Sequence, residues 1–274
     1  MSLLARDSFV AVVTLEQVAL FRRHGRELRM LERKDVQPAE GRATEWPDAL
    51  NALQLILHVH SRKRAEITVL LSNQFIRFCL VPWSEHISTP QELQGYARIC
   101  FEEIYGQLGE GWSLTLSPEP AGQSRLAAVM ADTMVEQLRT IVSHEGMRLI
   151  SLQPYLMAAF NHFRHSLRKD DFVFLLAEPH RSNLIQAHGG HWVSVRSISS
   201  DDSDASLSAL IAREHELKML ENLDFDSVYL HAPARNSKPP HPVCGVSTHA
   251  LTLPLPLPTG EREDALFNMA RAVD

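Results

Sequence analysis

Fourteen histidines are the first residues of this chain that could do chemistry, and metal binding is the chemistry they suggest. His58 and His60 stand two apart, His162 and His165 sit at i, i+3 on an expected helix, and His188 and His191 flank a Gly-Gly pair. A zinc site needs three or four Cys, His or carboxylate ligands converging on one point. None of these pairs is joined by such a residue at zinc spacing, and HExxH does not occur. Arg213-Glu214-His215-Glu216 holds one His with no second one in register, and reads as a solvated helix face. For nucleophilic catalysis, GxSxG is absent, and Cys79 lies inside an apolar run where a thiol behaves as a small hydrophobe. GxGxxG and GxxxxGK[ST] are absent as well. The adjacent pair Glu102-Glu103 would point about 100° apart on a helix, the geometry of a surface ion pair or a partner contact and not of an acid–base dyad. The expectation is a chain with no catalytic residue, no metal and no cofactor.

The elements that would carry these residues follow from periodicity and punctuation. Residues 8–23 alternate loosely and break at Leu15-Glu16-Gln17, which suggests a hairpin followed by a polar segment to about 45. Residues 46–60 show helical spacing, with Pro47 and Asp48 at the start. The stretch ITVLLSNQFIRFCLVPW (67–83) reads as a framework hairpin with Ser72-Asn73-Gln74 as its turn. Residues 88–108 read as a helix with Thr89 and Glu92 as a capping box and Leu93, Tyr96, Ala97, Cys100 and Ile104 as its stripe. Strands at 112–117 and 125–130 precede a helix over 131–147 that stops at Gly146. A strand at 148–153 leads into a helix from Pro154 to about 166. Beyond the charged run Arg168-Lys169-Asp170-Asp171 come strands at 172–178, 182–188 and 191–199, a helix from 205 to 222, a strand at 226–232, an irregular Pro-rich stretch over 233–260, and a helix over 263–273. Within the irregular stretch, LTLPLPLP (251–258) cannot be a central strand and is expected extended against the body; exposed, it would be a docking strip.

Composition bounds the class. With 274 residues, 45% of them apolar, the chain can bury one large core or two smaller ones. A net charge of −6 lacks the basic excess of a nucleic-acid-binding domain. Three widely spaced cysteines fit a reducing compartment, and no apolar run approaches the roughly 18 residues of a membrane helix. A cytoplasmic protein without direct membrane insertion is expected, brought to any membrane by a partner.

The element order β-β-β-α-β-α of the second half is that of a ribonuclease-H-like unit, and the first half can be laid out in the same way. A more specific resemblance rests on VLLSNQFIRFCLVPW, the helix GYARICFEEIYGQ with Glu102-Glu103, the run RLAAVMADTMVEQLRTIVSHEGMRLISLQPYLMAAF with Pro154, and FLLAEPHRSNLIQAHGGHWVSVRSIS. These segments, spanning about 8–232, resemble the cytoplasmic region of GspL and the pilus-assembly protein family PilM. The resemblance implies an actin-like α/β fold, two ribonuclease-H-like halves with mixed sheets flanked by helices. The halves would be 1–168, with a small β-α insertion near 85–153, and 169–274. It also implies protein partners: the cytoplasmic tail of an inner-membrane protein, or an assembly ATPase.

In that fold ATP is held by two hairpin turns and a Gly-rich adenosine loop, because backbone N–H groups must approach phosphate closely. The matching first turn, Thr14-Leu15-Glu16-Gln17, has no Gly or Asp, and Glu16 would repel a phosphate. The second, Ala177 to Asn183 with Glu178 and Arg181, has no Gly, and Pro179 removes a donor. The third, Pro233-Ala234-Arg235-Asn236-Ser237, again lacks Gly. Glu16, Glu178 and Arg181 are therefore candidates of a degenerate cleft, with Arg181 and His180 able to take an anion, and Glu102 and Glu103 are candidates for a partner contact. The expected function is a non-catalytic scaffold of a pilus or type II secretion-like platform. The alternatives are a nucleotide-binding ATPase of PilM type and an unrelated α/β enzyme.

Overall fold

A computed structural model describes residues 8–37, 45–107, 111–168, 170–221, 223, 225–235, 242–253 and 264–273. They form two compact units. The first comprises Met1–Phe75, Asp132–His162 and Leu253–Asp274, and the second Ile76–Ala131 and Phe163–Thr252. The units are thus discontinuous in sequence, whereas one boundary between 168 and 169 was expected. The segment 76–131 groups with the second unit and the last helix with the first.

The sheet of the first unit has the order β3-β2-β1-β4-β8. β1 (Ser8–Val13), β2 (Gln17–His24) and β3 (Glu27–Asp35) form an antiparallel meander; β4 (Glu66–Leu71) lies parallel to β1, and β8 (Arg148–Pro154) parallel to β4. Phe9 to Val13 are all buried, as an unbroken apolar run in a central strand requires. α1 (Trp46–His60) starts at a capping box in which Glu45 N–H donates to Asp48 Oδ2 at 3.0 Å, and it buries Leu50, Leu53, Ile56 and Leu57. Each such side chain contributes roughly 1.5–3 kcal/mol. α3 (Asp132–His144) packs beside it and ends at Gly146, whose φ of +71° suits a residue without Cβ. α4 (Tyr155–Phe163) follows β8 directly. α6 (Ala265–Arg271) packs on β1 and β2, with Phe267 5.9 Å from Phe21 and the Arg23 guanidinium donating to the carbonyls of Ala270 and Val273.

The sheet of the second unit, β11-β10-β9-β12-β13, repeats that order and those directions. β9 (Phe172–Glu178), β10 (Arg181–His188) and β11 (His191–Ile198) form the meander, and β12 (Ser227–His231) and β13 (Ser247–Ala250) run parallel to β9. Gly189 and Gly190, at φ +57° and +77°, make the tight β10–β11 turn, which demands positive φ at both central residues. α5 (Asp204–Leu220) lays Leu207, Leu210 and Ile211 onto Val173, Leu175, Leu184, Val228 and Leu230. The expected fold class holds: a mixed α/β structure with two five-stranded sheets of one topology.

A third sheet, β5-β7-β6, sits in the second unit with α2 (Pro90–Tyr105) packed on it. β5 spans Arg77–Val81, β6 Trp112–Leu116 and β7 Arg125–Ala131. Cys79, Val81, Ala97, Phe101, Ala127 and Val129 form its core. The expected capping box is present, with Thr89 Oγ1 accepting from Glu92 N–H at 3.2 Å and Glu92 Oε2 accepting from Thr89 N–H at 2.9 Å.

The framework hairpin over 67–81 is not formed. β4 pairs with β1 and β8, whereas β5 pairs with β7 in a different sheet. Asn73 to Phe75 form a short 3-10 turn between them. Asn73 is fully buried, and its Oδ1 accepts from Leu156 N–H, in the first turn of α4, at 3.0 Å. That bond ties the end of β4 to the start of the helix after β8. The polar break between two apolar runs is thus a helix cap, not a hairpin turn.

Candidate functional site

The β1–β2 turn is the first position where the fold could present amides to a phosphate. Here Thr14 uses them instead. Its Oγ1 accepts from Gln17 N–H at 3.0 Å and from Glu16 N–H at 3.3 Å, and donates to Gln17 O at 2.9 Å. One hydroxyl carries one donor and two acceptor sites, so Thr14 is saturated and two turn amides are occupied. Gln17 Nε2 donates to Asp35 Oδ1 at 2.8 Å, and the Glu16 carboxylate stands at the exposed tip.

At the β9–β10 turn, Glu178 and Arg181 are register partners across Pro179-His180. Pro179 has no N–H to offer. Glu178 is buried. Arg181 and Asn183, two apart on one strand, share a face. Arg181 Nε and Asn183 Oδ1 are buried without a hydrogen-bond partner among the described residues, while Asn183 Nδ2 donates to Ser197 Oγ at 2.6 Å. The Tyr105 hydroxyl donates to Phe78 O at 2.8 Å, and burial raises its pKa. After β12, the Arg235 guanidinium is held by Asp202 O and the Asp204 carboxylate at the start of α5; residues 236–241 lie outside the described residues.

Of the sequence candidates, Glu178 and Arg181 are brought together, and Glu16 belongs to the other unit. Glu102 and Glu103 are both exposed on the outer face of α2, beside the half-exposed Ile99 and Ile104. Two of the candidate histidines serve local pairs: His60 Nε2 lies 2.7 Å from Glu32 Oε2, and His188 Nδ1 lies 2.9 Å from Asp171 Oδ1. Among the described residues no three His, Cys, Asp or Glu side chains are placed to hold a metal ion. Burial pushes the Cys79 thiol up to about 12, far from the range of a nucleophilic thiolate. Thr14 and Asn183 escaped the sequence reading. The signal for Thr14 was a hydroxyl residue at the first position of a turn, the usual place for a side chain that captures the next amides. No helix among the described residues is long and apolar enough to cross a membrane.

No protein-family model matches the chain, and no curated protein matches it by sequence. Solved structures do match. A structure of the PilM-PilN type IV pilus biogenesis complex aligns at TM-score 0.58 and 15% identity, over 83% of this chain and 82% of that one. A Bacteroides thetaiotaomicron protein of actin-like ATPase fold and unknown function aligns at TM-score 0.59 and 7% identity, over 99% and 97%. The cytoplasmic domain of EpsL, an inner-membrane component of the Vibrio cholerae type II secretion system, aligns at TM-score 0.58 and 11% identity, over 98% and 96%. With two sheets of one topology, each flanked by helices, the chain has the actin-like fold and is similar in it to PilM and to the cytoplasmic domain of EpsL.

Proposed function

We propose that this chain is a non-catalytic, actin-like assembly protein of a pilus or type II secretion-like inner-membrane platform, working in the cytoplasm through contacts with protein partners. The observation that carries the non-catalytic part is the β1–β2 turn, whose amides are spent on the Thr14 hydroxyl. Pro179 and the absence of glycine from the β9–β10 turn support the same reading. A nucleotide would have to displace those bonds and accept Glu16 beside its own negative charge, at a turn with no Asp to hold Mg²⁺. The platform assignment is supported by the likeness to PilM, solved in complex with PilN, and to EpsL, an inner-membrane component. An actin-like protein relieved of hydrolysis keeps its surfaces, and surfaces are what an assembly platform uses. The partner classes implied are the cytoplasmic tail of an inner-membrane protein and an assembly ATPase.

The test is calorimetric titration with Mg-ATP, together with thermal melts. A ligand at about 100 times its dissociation constant stabilises the folded state by about 2.7 kcal/mol. No heat and no melting shift are expected at millimolar nucleotide. Micromolar binding would overturn the proposal and make the chain a nucleotide-binding ATPase of the same fold.

A further inference from the structure

At the end of the first sheet away from the β1–β2 turn, strand register brings three connections together. Arg23 in β2 stands opposite Ser8, Ser8 opposite Glu66, and Glu66 opposite Arg148. With neighbouring strands about 4.8 Å apart, these four positions form one row about 14 Å wide. The segments around the row are basic. The end of the β2–β3 hairpin (22–29) has four Arg and one Glu, the α1–β4 connection (58–66) two Arg, one Lys and one Glu, and the α3–β8 connection (144–148) one Arg and one Glu. Eight cations against three carboxylates make +5 at one end of one unit, in a chain of net −6. Two of the carboxylates are engaged locally: Glu66 pairs with Arg148, and Glu145 Oε1 lies 3.5 Å from His58 Nδ1 and 3.6 Å from His144 Nδ1. Arg26, Arg29, Lys63 and Arg64 are exposed and have no ion pair among the described residues. Arg29 is also the register partner of Arg22, so two like charges face each other across the hairpin, an arrangement that disfavours it and that a bound anion relieves.

Backbone bonds hold two of these connections to each other, with Arg64 N–H donating to Gly146 O at 2.7 Å and Arg148 N–H to Ala65 O at 2.8 Å. A hollow of about 390 Å³ opens there, lined by Arg64, Glu66, Gly146, Met147 and Arg148. Just before the basic loop, in the last turn of α1, Val59 is 69% exposed, and Leu55, one turn back, is 55% exposed. The unpaired cations come from two separate loops, so the matching ligand is an extended anion and not a single small one. It must also accept aliphatic side chains. A nucleic-acid backbone would meet the cations but has no use for Val59 and Leu55, and no Phe, Tyr or Trp stands in the three segments to stack a base. The headgroup–acyl boundary of an anionic bilayer takes both kinds of side chain. We propose that this end of the first unit is a peripheral contact for anionic phospholipid, with a headgroup phosphate in the hollow between Arg64 and Arg148 and Val59 at headgroup level. Charge is felt only within a Debye length of about 8–10 Å, so the basic end is drawn in while the rest of a net-negative chain is held off, and the contact fixes an orientation. The contact does not depend on the nucleotide question: calorimetry with Mg-ATP and binding to vesicles can fail separately.

The experiment is flotation of the full chain with vesicles of phosphatidylglycerol and phosphatidylcholine in equal parts, against vesicles of phosphatidylcholine alone. Expected are binding to the first kind only, and its loss at high salt, where the Debye length shrinks to about 3 Å. Each basic residue near an anionic surface is worth about fivefold in affinity, so Lys63→Ala with Arg64→Ala, and Arg26→Ala with Arg29→Ala, should each bind about 25-fold more weakly. Val59→Ser should weaken binding by about fivefold, an effect that a purely electrostatic contact would not show. Thermal melts of all three variants should match wild type, because the altered side chains are exposed. No binding to the anionic vesicles at low salt would overturn the proposal, as would wild-type affinity in both charge variants. Full release from the vesicles by millimolar inorganic phosphate would assign the hollow to free phosphate, and binding of a nucleic-acid duplex without binding of vesicles would assign this end to a polynucleotide; either result overturns the lipid.

Discussion

Asn73→Ala tests the link between β4 and α4 directly. Asn73 is fully buried, and its Oδ1 is the acceptor recorded for the Leu156 amide, which as an N-terminal helix amide has no carbonyl within its own helix to use. Alanine removes the acceptor and leaves the amide buried. An orphaned buried donor costs about 1–3 kcal/mol, so a central value of about 2 kcal/mol lowers the melting temperature by about 4–8 °C at roughly 2–4 °C per kcal/mol for a protein of this size. The assay pairs a melting curve with amide hydrogen exchange. The Leu156 amide and its neighbours in α4 should exchange faster in the variant, while amides in α5, which belong to the other unit, keep their wild-type protection. A melting shift below about 1 °C, with Leu156 protection unchanged, would refute the capping role and with it the account of why the chain leaves β4 in a 3-10 turn.

Two further perturbations bear on α2. Gly95 lies in the middle of this helix with nothing within 4 Å of where a Cβ would stand, so Gly95→Ala should raise stability by roughly 0.5–1 kcal/mol in a urea titration, and a loss would show that the position is not open. Backbone N–H groups of Ser88 and Thr89 hold the Glu92 carboxyl below its ordinary value of 4.5. A depressed folded pKa contributes stability that is complete above the unfolded value and is lost as pH falls through the folded one, so melts should show a loss of stability below about pH 4.5 that Glu92→Ala lacks; parallel acid limbs in the two proteins would refute it.

The parts of the fold that sequence exposed were those written in local chemistry. The capping box at Thr89 and Glu92, the Gly189-Gly190 turn and the stop at Gly146 all appear where spacing put them. β3 did not, because ELRMLERKD is an edge strand whose charged residues face water and hide the alternation. β13 did not, because four residues among prolines carry too little pattern. The misread hairpin is the instructive case. Two apolar runs around Ser72-Asn73-Gln74 look like antiparallel neighbours, yet their partners lie far along the chain, β8 for one and β7 for the other. No local signal distinguishes the two outcomes. At the candidate site, the missing glycines of the first turn were legible; the capture of its amides by Thr14 was signalled only by a hydroxyl residue at the first turn position, and the rotamer that makes the bonds is not encoded by spacing.

The return of α6 to the first sheet has a consequence for how the molecule is made. Arg23 waits for carbonyl partners on a helix 247 residues later in the chain. At roughly 5–20 residues per second, a ribosome needs about 12–50 s to supply that helix after Arg23 is joined. During that interval Phe21 lacks the Phe267 ring that will pack against it. The five strands of the first sheet are all made by Pro154, but its α6 follows only after the second unit, whose last strand ends at Ala250, is complete. The half of the protein begun first is therefore the half finished last, and its nascent sheet is the surface that a holding chaperone would meet.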